Sequence, residues 1–135
     1  MKLPHLHWFA WVCWLGVLIW VSTIFYLSSL GSTEISEMNV FDASDKLLHF
    51  IAFFTGVLAL VPALRLTFGW PWKKVCLIAI ACLSAYGALD EVHQKFTPSR
   101  SALDVWDWLA DTLGATAGAP LAAFVHAFIV RRWGR

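Results

Sequence analysis

The chain has 135 residues, of which 59% are hydrophobic and 14% charged, with a formal net charge of +1 and a mean hydropathy of +0.66. A soluble core of this size needs no such apolar excess, so the composition excludes an ordinary soluble domain and points to a bilayer. The small net charge hides a segregation of charges by side. The basic residues at the chain ends follow from membrane topology and call for no nucleic-acid partner.

Four stretches meet the requirement of roughly 20 residues for crossing about 30 Å of hydrocarbon: Trp8 to Leu30, Leu47 to Leu66, Val75 to Gln94 and Asp104 to Val130. The expected fold is therefore an all-α membrane protein, four transmembrane helices in one small bundle filling the chain from 1 to 135. The first stretch follows Lys2 and precedes Ser28, Ser29, Gly31 and Ser32, as a cleaved signal would. It is longer than a secretory apolar region and carries Trp8, Trp11, Trp14 and Trp20, so it is read as a retained span.

All nine acidic residues lie in or beside two gaps: Glu34, Glu37, Asp42 and Asp45 in the first, and Asp90, Glu91, Asp104, Asp107 and Asp111 in the other. Threading four spans puts both gaps on one side of the membrane. Lys2, Arg65, Lys73, Lys74, Arg131, Arg132 and Arg135 fall on the opposite side, seven against Lys46, Lys95 and Arg100. The positive-inside rule then places both termini in the cytoplasm and the acidic gaps outside, in a bacterial cytoplasmic membrane. Trp8, Trp11, Trp70, Trp72 and Trp133 fall near the inner interface and Trp106 and Trp108 near the outer one, where indole is favoured. Cys13, Cys76 and Cys82 lie within spans without zinc, haem or redox spacing.

The second span opens with Asp45 and Lys46, and His49 follows at spacings of four and three, on one helical face. Asp45 also suits the first helical turn as a cap. The third span ends Asp90-Glu91-Val92-His93-Gln94, with Pro98 and Arg100 beyond. Glu91 and Gln94 are expected to point into the bundle, with Asp90 and His93 nearer the interface. In the fourth span Asp104, Asp107 and Asp111 form a stripe descending about 10 Å along one face. Gly114 and Gly118 continue that stripe as a small-residue pair that admits a close helix neighbour. Pro62 and Pro120 are expected to kink their helices. The uncharged first helix is expected to support the bundle from one side.

The set Asp45-Lys46-Leu47-Leu48-His49-Phe50, Asp90-Glu91-Val92-His93-Gln94, Pro98-Ser99-Arg100, and Asp107 with Asp111-Thr112-Leu113-Gly114 resembles the VanZ-like membrane protein family over roughly residues 45 to 118. The family more often carries asparagine where this chain has Asp111. The resemblance implies an envelope role, since the family's named member is linked to tolerance of the glycopeptide teicoplanin. It supplies no reaction.

The expected outer site therefore holds Asp45, Asp90, Glu91, Asp104, Asp107 and Asp111 against Lys46, Lys95 and Arg100. A partly dry site resolves that excess by proton sharing, by protonating His49 or His93, or by binding a cation. In one reading Arg100 and Lys46 hold an anionic head group of a membrane lipid or lipid-linked envelope precursor, Gln94, Asp111, Asp45, Asp90, His93 and Asp104 surround it, and Glu91 or Asp107 works with His49 as acid and base. A variant puts a divalent metal among Asp107, Asp111, Glu91 and His49, without a recognised metal spacing; the preferred reading has no metal and no cofactor. The other reading is a closed polar network that fixes helix packing in a non-catalytic accessory protein. Transport is disfavoured, because the inner half offers only scattered Ser22, Thr23, Ser84, Thr116 and His126.

Overall fold

The computed structural model describes residues 6–31, 33, 45–100 and 102–133. Lys2, Ser32, Glu34, Glu37, Asp42 and Arg135 lie outside the described residues, as does the side chain of Trp133. Among the described residues four long helices follow one another: α1 (Leu6–Ser28), α2 (Asp45–Phe68), α3 (Trp72–Gln94) and α4 (Val105–Trp133). Each is long and apolar enough to cross a bilayer, so the chain is a multi-pass helical membrane protein. The ends fall within three residues of the expected ones. Helix α2 continues two residues past its apolar stretch, to Phe68, until local stop signals intervene.

Those signals are visible. Gly69 adopts φ +66° and its N–H returns to the Arg65 carbonyl at 2.9 Å, closing α2. Arg65 Nη1 donates to the Gly69 carbonyl at 2.8 Å and to the Trp70 carbonyl, covering acceptors at that end. Pro71, extended at φ −61° and ψ 148°, precedes α3. Pro62 and Pro120 sit within continuous helices.

The core is built on small contacts. Val57, Val61 and Leu64 of α2 meet Val75, Ala79 and Leu83 of α3 and Ala115, Ala119 and Ala122 of α4. The α2–α4 approach is close because Gly114 presents no Cβ where one would strike the Phe50 carbonyl, and Gly118 lies against Phe54 and Val57. The glycine pair thus packs against α2, as its position on the aspartate stripe requires. The apolar window of helix α1 holds no buried residue, as a helix at the edge of the bundle would. Its inward anchor is Trp20, whose Nε1 donates to the Ala52 carbonyl at 2.8 Å and whose ring meets Phe53 edge-on at 5.2 Å.

Candidate functional site

Two polar networks meet at one end of the bundle. The first joins α2 and α4. Asp107 and Asp111, one turn apart on α4, are buried, with Asp111 fully enclosed. His49 Nδ1 lies 2.9 Å from Asp111 Oδ1, which fixes the ring and leaves Nε2 facing Asp107 Oδ2 at 3.9 Å and Asp45 Oδ1 at 4.0 Å. Room for the Asp111 carboxylate comes from Gly87 on α3, where a Cβ would stand 2.6 Å from Oδ2. Lys46 Nζ donates to Asp104 Oδ2 at 2.7 Å and to Asp107, and lies 3.6 Å from Asp45 Oδ2. One ammonium thus offsets part of the negative charge at the rim of the aspartate stripe. Lys46 and the Trp106 N–H hold the Asp104 carboxyl below the usual carboxylate range, with the Lys46 hydrogen bond the larger cause.

Glu91 bridges from α3. Its Oε2 accepts the Asp104 backbone N–H at 2.7 Å, while the buried Oε1 has no partner among the described residues, nor has Asp111 Oδ2. The second network runs from α1 through α3. Ser28 Oγ donates to Asp90 Oδ1 at 2.5 Å, Gln94 Nε2 donates to Asp90 Oδ2 at 3.0 Å, and Arg100 Nη2 donates to Gln94 Oε1 at 3.0 Å. Thr97 Oγ1 donates to the Ser28 carbonyl at 3.0 Å, and His93 Nε2 lies 3.0 Å from Ser29 Oγ with its ring 4.7 Å from that of Phe25.

Lys46, His49, Glu91, Asp104, Asp107 and Asp111 therefore converge in one network, with Asp45 at its exposed edge, and Asp90, Gln94 and Arg100 form its neighbour. Arg100 is tied to Gln94; among the described residues no carboxylate lies within ion-pair distance of it. One expectation is corrected. Asp90 does not sit nearer the interface than Glu91: it is 6% exposed against 4%, because α3 has a polar neighbour on two sides and Asp90 turns to α1. That also changes the role of α1, whose Ser28 and Ser29 join the site. The only sequence signal for them was a serine pair ending an apolar span.

Chemically, the His49–Asp111 pair resembles an imidazole held in one orientation by a buried carboxylate, with the far nitrogen available to a proton or a cation. Asp45, His49 and Asp107 each offer a ligand atom, all within 4.8 Å of one another. Those donors suit a divalent ion, and one oxygen of each of these two aspartates already faces Lys46.

No curated protein and no solved structure matches the chain. The family model described as VanZ/LLP1 matches residues 9–126, most of the chain. That match takes in every site residue described above, and the chain belongs to the VanZ/LLP1 family.

Proposed function

We propose that this end of the bundle recognises an anionic head group of a membrane lipid or lipid-linked envelope precursor, with Arg100 as its anion-binding residue. The observation that carries the reading is the state of that side chain. Carboxylates crowd this end of the bundle, yet among the described residues Arg100 makes no ion pair and its buried Nε has no partner. Gln94, itself gripped by Asp90, aims the guanidinium. A planar fork held this way suits the paired oxygens of a phosphate or carboxylate.

Lys46 takes a different part in this reading: its three aspartate neighbours make it the counter-ion of the adjacent network. In the catalytic form of the proposal, His49 handles a proton beside Asp107 and Glu91 while Arg100 fixes the head group. Asp45, Asp104, Asp111 and His93 shape the surroundings. Charge asymmetry orients the site outward from a bacterial cytoplasmic membrane, with both termini inside. Family resemblance extends the proposal to glycopeptide tolerance, teicoplanin in particular.

The test is binding of a polyprenyl phosphate, against the neutral polyprenol, to the full chain in nanodiscs. Arg100→Gln should weaken phosphate binding by about 10- to 100-fold, the worth of a charge-assisted hydrogen bond, and leave polyprenol binding unchanged. A packing network is the second reading, favoured by the closed Lys46 cluster. It replaces the first if Arg100→Gln binds as wild type, or if Arg100→Gln and Asp107→Asn both lose folded protein in detergent.

A further inference from the structure

At the opposite, basic end of the bundle lies a cavity of about 420 Å³ lined by Arg65, Gly69, Trp72, His126, Val130 and Arg131 among others, with no acidic residue in its wall among the described residues. His126 is the informative member. It is 7% exposed, lines the cavity, and neither ring nitrogen has a hydrogen-bond partner among the described residues. An imidazole always carries at least one N–H donor, and burying it unpaired is unfavourable. The ring is nonetheless held in place: Trp72 meets it edge-on at 5.2 Å, and the Arg65 guanidinium lies 5.0 Å from the centre of a Trp72 ring.

The two arginines supply charge around that unpaired ring. Arg65 commits Nη1 to the Gly69 and Trp70 carbonyls, and neither Arg65 nor Arg131 forms an ion pair among the described residues. Helix-end capping accounts for Arg65, but it leaves His126 unexplained. We propose that the cavity binds the phosphate of an anionic phospholipid from the leaflet at this end, with His126 donating to it and Arg65 and Arg131 balancing its charge. A basic pocket between transmembrane helices has the chemistry for such a head group. A lipid is favoured over free phosphate because Val130, in the cavity wall, belongs to an exposed apolar run with Phe128 and Ile129, along which acyl chains can lie.

The site is distant from Arg100, and its test uses different probes. The purified full chain would be titrated with dioleoylphosphatidylglycerol, dioleoylphosphatidylcholine and inorganic phosphate, counting bound molecules by native mass spectrometry. The glycerol lipid should be retained over the choline lipid by about tenfold or more, as two basic side chains at about fivefold each allow. Arg131→Gln should lower that preference about fivefold. His126→Leu should lower it too, while keeping or raising the melting temperature of lipid-free protein, because the unpaired ring is gone. Equal retention of the two lipids, an unchanged preference in both variants, or inorganic phosphate binding at the cavity without phosphatidylglycerol selectivity would each overturn the proposal.

Discussion

Gly87→Ala links the packing of the bundle to its charged site. The added Cβ would stand 2.6 Å from Asp111 Oδ2, 3.2 Å from its Cβ and 3.3 Å from its Cγ. A carboxylate with freedom would swing aside cheaply. Asp111 lacks that freedom, because it is fully buried and its other oxygen is engaged by His49 at 2.9 Å. Overpacking costs about 1–3 kcal/mol, and losing a hydrogen bond to a charged group costs about 1.5–3 kcal/mol. Alanine returns about 1 kcal/mol in helix propensity over glycine. The net expectation is a loss of about 1.5–5 kcal/mol, with the clash and the broken bond outweighing the propensity gain. Reversible unfolding in mixed micelles, followed by circular dichroism, reads this directly. Gly16→Ala is the control, since its Cβ would meet Ala59 Cβ at an ordinary 3.6 Å; it should be neutral or gain up to about 1 kcal/mol. With Asp111→Ala already present, Gly87→Ala should cost much less, because the Oδ2 clash and the His49 bond are gone and only the 3.2 Å contact with the residue-111 Cβ remains. If it costs as much there as in the wild type, or if Gly87→Ala stabilises as Gly16→Ala does, the reasoning about Asp111 is wrong.

Three further outcomes can be measured. Ser28→Ala removes the donor to the buried Asp90 oxygen and should destabilise the chain by about 1–3 kcal/mol; a double-mutant cycle with Asp90→Asn should show coupling. Asp104 contributes stability that is complete above the ordinary carboxylate pKa of about 3.9 and is lost as pH falls through its lower folded value. Acid titration of unfolding should therefore show a low-pH decline that is reduced in Asp104→Asn. Gly114→Ala drives a Cβ into the Phe50 carbonyl, a backbone atom that cannot rotate away; it should destabilise more than Gly87→Ala in the same unfolding assay.

Spacing made some of this site legible and could not reveal the rest. Asp104, Asp107 and Asp111 recur at three and four residues, so one face had to carry all three. The structure makes that face polar at its mouth and buried at Asp107 and Asp111. Gly114 and Gly118 extend the same row and meet α2. Lys46 could be placed near these acids by its position at the start of a span, but its choice of Asp104 and Asp107 depends on how far α2 lies from α4. Asp90 departs from the single-face expectation, which follows from consecutive residues on a helix differing by about 100° in direction. A helix with one inward face would bury Glu91 and turn Asp90 out. Helix α3 has polar neighbours on two sides, so both carboxylates find donors, one on the backbone before α4 and one on α1.

The distribution of unpaired groups separates the two ends of the bundle. At the carboxylate end, Glu91 Oε1 and Asp111 Oδ2 are acceptors without donors and Arg100 Nε is a donor without an acceptor. At the basic end both nitrogens of His126 are unpaired. A network whose sole purpose was to lock helices together would gain by satisfying each of these, because a half-satisfied buried polar group is costlier than an apolar one. Trp20, Ser84 and Tyr86, partly buried and outside both sites, show that this chain does satisfy polar groups where only packing is served: each reaches a partner on another helix. Among the described residues the unpaired buried groups instead gather towards the two ends of the bundle, and its middle is filled by Val57, Val61, Ala79 and Ala115. That contrast favours ligand recognition at the ends of the bundle over a purely structural use of its charges.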